Sequence, residues 1–218
     1  MNDVYMKKGL FISIEGPDGS GKTTLLKSLT KKLTASGFEI LTTREPGGTP
    51  LAEEVRRILL DPASGSVAPR AEMLLYAAAR AQHVVQVIKP ALHAGKIVLC
   101  DRFTDSSVAY QGFGRGLSLD FIHAVNNLAV ENVFPDLTMV LDIEPEEGLR
   151  RIIGEGKHLD RLEREKLDFH HRVREGYLKQ ASDDSQRVKL ITAGSRKQVL
   201  EAAWNLVEEI LKESIIDC

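Results

Sequence analysis

Gly16-Pro17-Asp18-Gly19-Ser20-Gly21-Lys22-Thr23 (GPDGSGKT) stands between two stretches of different period. Before it, Gly9 to Glu15 is short, apolar and partly β-branched, which reads as a buried strand. After it, Leu25, Leu26, Leu29 and Leu33 fall on one helical face, with Lys27, Lys31 and Lys32 on the other. Strand, glycine loop and helix follow in the order of a phosphate-binding loop. Its glycines let successive backbone N–H groups turn toward phosphate oxygens, and the helix N-terminus adds positive potential. Lys22 is placed to reach β- and γ-phosphates, and the Thr23 hydroxyl to ligate a bridging magnesium ion.

Working outward, strand-like runs recur at Phe38 to Thr43, Lys96 to Asp101, Leu137 to Ile143 and Arg187 to Thr192. Long helical patterns cover Pro69 to His93, Ser118 to Val130, Leu159 to Ser182 and Ser195 to Lys212. This alternation predicts an α/β fold, a five-stranded parallel sheet with helices on both faces. With the phosphate loop it is the pattern of a P-loop NTPase. Neither a repeat nor a composition shift divides the 218 residues, so we expect a single domain, 1–218.

Composition excludes several classes. With 29 basic and 31 acidic residues mixed along the chain, nothing argues for binding nucleic acid or an anionic membrane. Two cysteines, Cys100 and Cys218, make neither a disulfide framework nor a metal spacing, and Cys100 sits in an apolar run as a buried thiol would. The N-terminus carries no signal-peptide hydrophobic region and no stretch is long enough to span a membrane. A reducing cytoplasm is expected.

In open α/β sheets ligands gather beyond the carboxyl ends of the strands. Asp101 ends one apolar run and is the expected partner of Thr23 at a metal ion. Asp142 ends another, and its position before Pro145 reads better as a helix cap. Arg102 follows Asp101, and Arg44 lies one residue beyond the second strand. Two guanidiniums after two strands beside a phosphate loop suit a phosphate monoester. Tyr76 and Arg80, four apart on a helix, share a face and can offer a ring and a guanidinium to one planar ligand.

Four segments, EGPDGSGKTT, TREPGGT (43–49), LLYAAAR (74–80) and DRFTDSSVAYQG (101–112), together resemble the bacterial thymidylate kinases, and the resemblance runs from Leu10 to about Leu211. It implies transfer of the ATP γ-phosphoryl group to dTMP, giving dTDP and ADP, with Mg2+ and a homodimer. By that match the ATP phosphates are held by Gly16, Pro17, Asp18, Gly19, Ser20, Gly21, Lys22, Thr23 and Thr24. Arg44 and Arg102 hold the acceptor phosphate, Tyr76 stacks on the base and Arg80 hydrogen-bonds it. Ser107 and Gln111 read the polar edge of thymine, Tyr110 and Asp18 lie near the deoxyribose, and Arg56 lies close to the acceptor pocket. The turn Thr192 to Ser195 resembles the loop that touches adenine.

An ionised acceptor phosphate needs no strong base, so catalysis rests on alignment and on cations. Between Gly16 and Gly21 there is no arginine, and in many relatives the missing cation comes from a mobile lid. The matching region, about 145–162, holds Arg150, Arg151, Lys157 and Arg161, with Gly154 and Gly156 as hinge points. Arg151 is the first choice for the catalytic cation and Arg161 the second, in a set completed by Lys22, Arg102 and Asp18. The same stretch also reads as a solvated helix of Glu/Arg pairs. Another nucleoside monophosphate kinase would keep the loop and arginine clamp but change the base pocket. A nucleotide-dependent switch loses support because no NKxD or LSGGQ motif occurs.

Overall fold

The structure, a computed structural model, describes residues 9–154, 156 and 158–216, with side chains described to 212. Lys157, Cys218 and the first eight residues, on which the reading of the N-terminus rests, lie outside them. Five strands, β1 (Leu10–Glu15), β2 (Ile40–Arg44), β3 (Ile97–Asp101), β4 (Leu137–Asp142) and β5 (Val188–Thr192), form one sheet in the order β2-β3-β1-β4-β5. All neighbouring pairs are parallel. That is the expected α/β P-loop architecture.

Every residue of the central strand β1 is buried, because helices cover both faces. Ile12 and Ile14 face a core made with Leu25, Leu29 and Leu33 of α1 (Lys22–Ala35) and with Ala203 and Val207 of α9 (Arg196–Ile216). Phe11, on the opposite face, packs with Val84, Ile88, Val98 and Val130. Leu29 and Leu33 are fully buried, so cutting either to Ala costs about 2–5 kcal/mol. The register sets Arg44 beside Asp101 and Ile14 beside Asp101, which brings Glu15, Arg44 and Asp101 to one edge of the sheet.

Boundaries differ from expectation where local hydrogen bonds compete with periodicity. Arg44 is the last residue of β2 rather than the first beyond it, and Glu45 N–H donates to Asp101 O at 3.0 Å. The pattern from Pro69 to His93 is an α-helix, α3 (Pro69–His83), then a π-helical stretch Val84–Ile88, then the short α4 (Lys89–His93). Pro90 has no N–H for the turn it follows, which is where the ladder changes pitch. The helix expected from Leu159 starts only at Leu167 (α8, Leu167–Asp183). Ahead of it Asp160 accepts from the N–H groups of Leu162 and Glu163, and Glu163 accepts from Asp160 N–H, which closes a turn instead.

Shorter elements that the periodicity did not reveal supply the rest of the site edge. They are α2 (Pro50–Leu60), capped by Thr49, and α5 (Thr104–Ser107) running into a π-helical turn Val108–Gly114. The helix expected over Ser118 to Val130 is α6 (Leu119–Val130), and after β4 comes α7 (Pro145–Gly154), within the stretch also read as a helix of Glu/Arg pairs.

Candidate active site

The loop between β1 and α1 is built as expected. The Lys22 ammonium donates to Gly16 O at 3.0 Å and Pro17 O at 2.9 Å, which folds it over the loop. Burial, reinforced by Arg102, pulls Lys22 down to about 8, so it is a cation that gains from an incoming anion. Ser20 Oγ is buried without a hydrogen-bond partner among the described residues. Thr23 Oγ1 donates to Asp101 Oδ2 at 3.1 Å, which puts two hard oxygens side by side at the loop. Gly19 and Gly148 of α7 meet backbone to backbone: a Cβ on Gly148 would lie 2.3 Å from Asp18 O, and one on Gly19 2.2 Å from Gly148 O. The N-terminal half of α7 is therefore seated directly on the loop.

A cleft of about 820 Å3 opens here, walled by the loop, Arg44, Arg56, Asp101, Arg102 and Arg151, with Gly194, Ser195 and Arg196 at its far side. A smaller cavity of about 160 Å3, lined by Tyr76, Arg80, Ser107, Tyr110 and Gln111, shares Asp18, Glu45, Arg56, Arg102 and Glu163 with it. The two spaces meet at a common wall.

Arg102 is its centre, held at φ 72, a left-handed backbone that costs a non-glycine residue about 1–2 kcal/mol. Its guanidinium donates to Gly16 O at 3.1 Å, Ser106 Oγ at 3.2 Å and the hydroxyls of Tyr110 and Tyr177 at 3.0 Å each, and it pairs with Asp18. Tyr110 donates its own hydroxyl to Asp18 Oδ2 at 2.7 Å. Burial would raise the Asp18 carboxyl, but Arg102 and then Lys22 outweigh it and hold Asp18 down at about 2.

Beneath this group lies Glu15, fully buried at the end of β1. It accepts from Phe103 N–H and Ser106 Oγ at 2.6 Å each and from the Tyr177 hydroxyl at 3.0 Å. Glu15 thus anchors the residue after Arg102 and two hydroxyls that Arg102 also contacts. Burial, then Asp105, pushes the Glu15 carboxyl up to about 7.

In the smaller cavity Arg80, 2% exposed, spends four of its five donors on Glu45 (2.7 Å), Ser107 Oγ (3.0 Å), Asn126 Oδ1 (2.6 Å) and Phe103 O (3.1 Å). Gln111 donates to Glu72 at 2.9 Å, and burial followed by Glu72 raises the half-buried Tyr76. Arg44 is bound through one nitrogen to both oxygens of Glu53 at 2.9 Å, and Arg56 donates to Pro46 O at 2.9 Å.

Comparison with known proteins decides the family. The thymidylate kinase family model matches residues 14–203. The chain belongs to the thymidylate kinase family. The thymidylate kinase of Bacillus licheniformis is 47% identical over 208 residues, which is 94% of this chain and 98% of the relative. That of Enterococcus faecalis is 49% identical over 210 residues, 95% and 99% of the two chains. The crystal structure of the Ehrlichia chaffeensis thymidylate kinase superposes with a TM-score of 0.76 at 33% identity, over 92% of this chain and 99% of that one.

Against the thymidylate kinase expectations, Asp18 to Thr24 of the loop, with Arg44, Arg56, Asp101 and Arg102, border the larger cleft, whereas Gly16 and Pro17 do not line it: both are buried, with their carbonyl oxygens accepting from Lys22. Tyr76, Arg80, Ser107, Tyr110 and Gln111 border the smaller one, and Asp18 borders both. The two arginines expected to supply the catalytic cation separate. Arg151 lines the cleft, with its guanidinium paired to Glu147 and 3.4 Å from Gly19 O. Arg161 is instead bound to Glu72 at 2.6 Å and to Leu59 O at 2.7 Å. Asp142 does not cap α7, since Arg174 takes both its oxygens at 2.8 and 3.0 Å.

Glu15, Glu45, Glu72 and Tyr177 were not singled out from sequence, although Glu45, Glu72 and Tyr177 bond Arg80, Gln111 and Arg102, and Glu15 bonds the residue after Arg102. The signal available was acidic residues in otherwise apolar settings. Glu15 ends a buried strand and Glu72 lies four residues before Tyr76.

Proposed function

We propose that this chain transfers the γ-phosphoryl group of ATP to dTMP, giving dTDP and ADP. The observation that carries the reading is the shared wall. A cleft built on a phosphate loop joins a cavity of pyrimidine scale at Arg102 and Asp18, so two phosphorylated ligands can meet end to end there.

In this reading the loop N–H groups, the free Ser20 hydroxyl and Lys22 cradle the ATP phosphates. Arg102, Arg44 and Arg56 take the acceptor phosphate, whose oxygen forms the new bond to the γ-phosphorus as the bond to the β-phosphate oxygen breaks. The acceptor oxygen carries negative charge already, so no base is needed. Arg151 supplies the last cation beside the loop. Asp18 holds Arg102 and Tyr110 in register and stands near the sugar. Tyr76 stacks on the base, while Arg80, Ser107 and Gln111 address its polar edge.

Thr23 and Asp101 offer a hydroxyl and a carboxylate, adjacent and both oxygen. That donor set fits Mg2+, which takes one or two protein oxygens and completes its octahedron with phosphates and water. When bound, the ion neutralises charge on the ATP phosphates.

We further propose a homodimer through α3. Ala71, Leu74 and Ala78 of α3 and Val85 of the π-helical stretch that follows it are exposed, Leu74 by 54% and Val85 by 51%, and the adjoining α6 adds Leu128 at 81%. Such an apolar face on a small-residue helix suits a two-fold contact. The single domain with a lid over about 145–162, acting in the cytoplasm, completes the reading. No described helix is long and apolar enough to cross a membrane. ADP release that depends on dTMP tests the activity.

A further inference from the structure

Glu72 takes no part in the mechanism above, yet it is fully buried beside the base cavity and bridges three elements. Its Oε1 accepts from Gln111 Nε2 at 2.9 Å and Arg115 Nε at 3.2 Å, and its Oε2 from Arg115 at 3.2 Å and Arg161 at 2.6 Å. Arg115 reaches it because the π-helical turn ends there, with Arg115 N–H bonded to Tyr110 O at 2.9 Å.

Two half-buried guanidiniums keep the buried Glu72 ionised, and an ionised carboxylate can only accept. The Gln111 amide is therefore not free to flip: its nitrogen must face Glu72. Its oxygen accepts no hydrogen bond from the described residues, and it is not among their sealed, unpartnered atoms. It opens onto the cavity that Gln111 lines.

We propose that Glu72 is a positioning residue that sets base selectivity, by fixing the Gln111 amide so that a carbonyl, never an N–H, meets the ring nitrogen of the base. The inference rests on the dTMP reading of the smaller cavity. A pyrimidine-2,4-dione presents N3–H and is accepted. A cytosine ring presents the N3 lone pair, and two acceptors are then left facing each other.

The test is kcat/KM for dTMP and for dCMP in native protein, Glu72→Gln, Gln111→Leu and the double variant. In Glu72→Gln the new amide gives its carbonyl to the arginines and its NH2 to Gln111, which turns over and shows N–H to the base. The dTMP-to-dCMP ratio is expected to fall at least tenfold in either single variant and no further in the double one. A ratio within twofold of native in Glu72→Gln, or an added loss in the double variant, overturns the proposal. A merely structural role would lower kcat toward both monophosphates alike and leave the ratio standing. Should Glu72→Gln fail to fold, the native protein still answers by side-chain NMR. On titration with dTMP the Gln111 carbonyl carbon should shift while its Nε2 protons stay protected; movement of the Nε2 protons instead contradicts the proposal. A native chain that uses dCMP as readily as dTMP would remove the functional reading itself, which is distinguishable from a native dTMP preference that Glu72→Gln does not change.

Discussion

Arg102 is ion-paired with Asp18 of the phosphate loop, across 84 residues of sequence, so one contact ties β1's loop to the end of β3 in the wall that the cleft and the smaller cavity share. Its other donors hold Gly16 O, Ser106, Tyr110 and Tyr177. In the proposed mechanism an acceptor phosphate joins or displaces Asp18 on this guanidinium, and the fork keeps its remaining bonds to hold the alignment.

Lysine cannot reproduce that fork. Arg102→Lys and Arg102→Ala should each lower kcat/KM for dTMP by about a hundredfold or more, equivalent to about 2.7 kcal/mol of transition-state stabilisation, while KM for ATP changes far less. Steady-state kinetics with each substrate varied in turn checks this. Near-native kcat/KM for dTMP in Arg102→Lys would show that the forked contact is dispensable.

Arg151 and Arg161 should behave differently. Arg151 borders the cleft at the loop, so Arg151→Ala is expected to reduce kcat at least tenfold with little change in KM for dTMP. Arg161 is bound to Glu72 and to the end of α2. Arg161→Ala should instead raise KM for dTMP and lower the melting temperature. Full turnover in Arg151→Ala, with loss in Arg161→Ala, would reverse the assignment.

Glu15 should make stability depend on pH in an unusual direction. Its carboxyl stands at about 7 in the fold against 4.5 ordinarily, so between those values the native state binds more protons than the unfolded chain. Its contribution is fully present below about pH 4.5 and is lost as pH rises through about 7. Asp105 opposes its ionisation and Arg102 favours it, and Ser106, Tyr177 and the Phe103 N–H are bonded to it. Glu15→Gln should therefore gain stability relative to native as pH rises from 5 to about 7.5, measured by urea unfolding. Parallel curves for the two proteins across that range would refute the assignment.

For the helix surface, Leu74→Glu should shift sedimentation from dimer to monomer at micromolar concentration. A chain that sediments as a monomer before substitution would remove the α3 interface.

The fold was legible because β1, the loop and α1 each carry a local signature, and parallel strands buried on both faces read as apolar runs. The lining of the cleft was legible where residues sit at or directly after a strand end, as at Asp101 and Arg102. The candidate site was not legible where a residue acts through another. Glu15, Glu45 and Glu72 are carboxylates whose partners lie 35 or more positions away, and only the sheet register and the π-helical turn bring them together. The helix misread between Leu159 and Lys166 has a related cause. Its charged pattern has helical period, but the Asp160 turn and the hold of Arg161 on α2 win.

The most direct test of the central claim is a coupled ADP-release assay with Mg2+ and ATP, run with dTMP, dUMP, dCMP and dGMP in turn. The account predicts magnesium-dependent turnover that requires an acceptor and is fastest with dTMP. Faster turnover with a base other than thymine, or ADP release indifferent to every monophosphate, would contradict it.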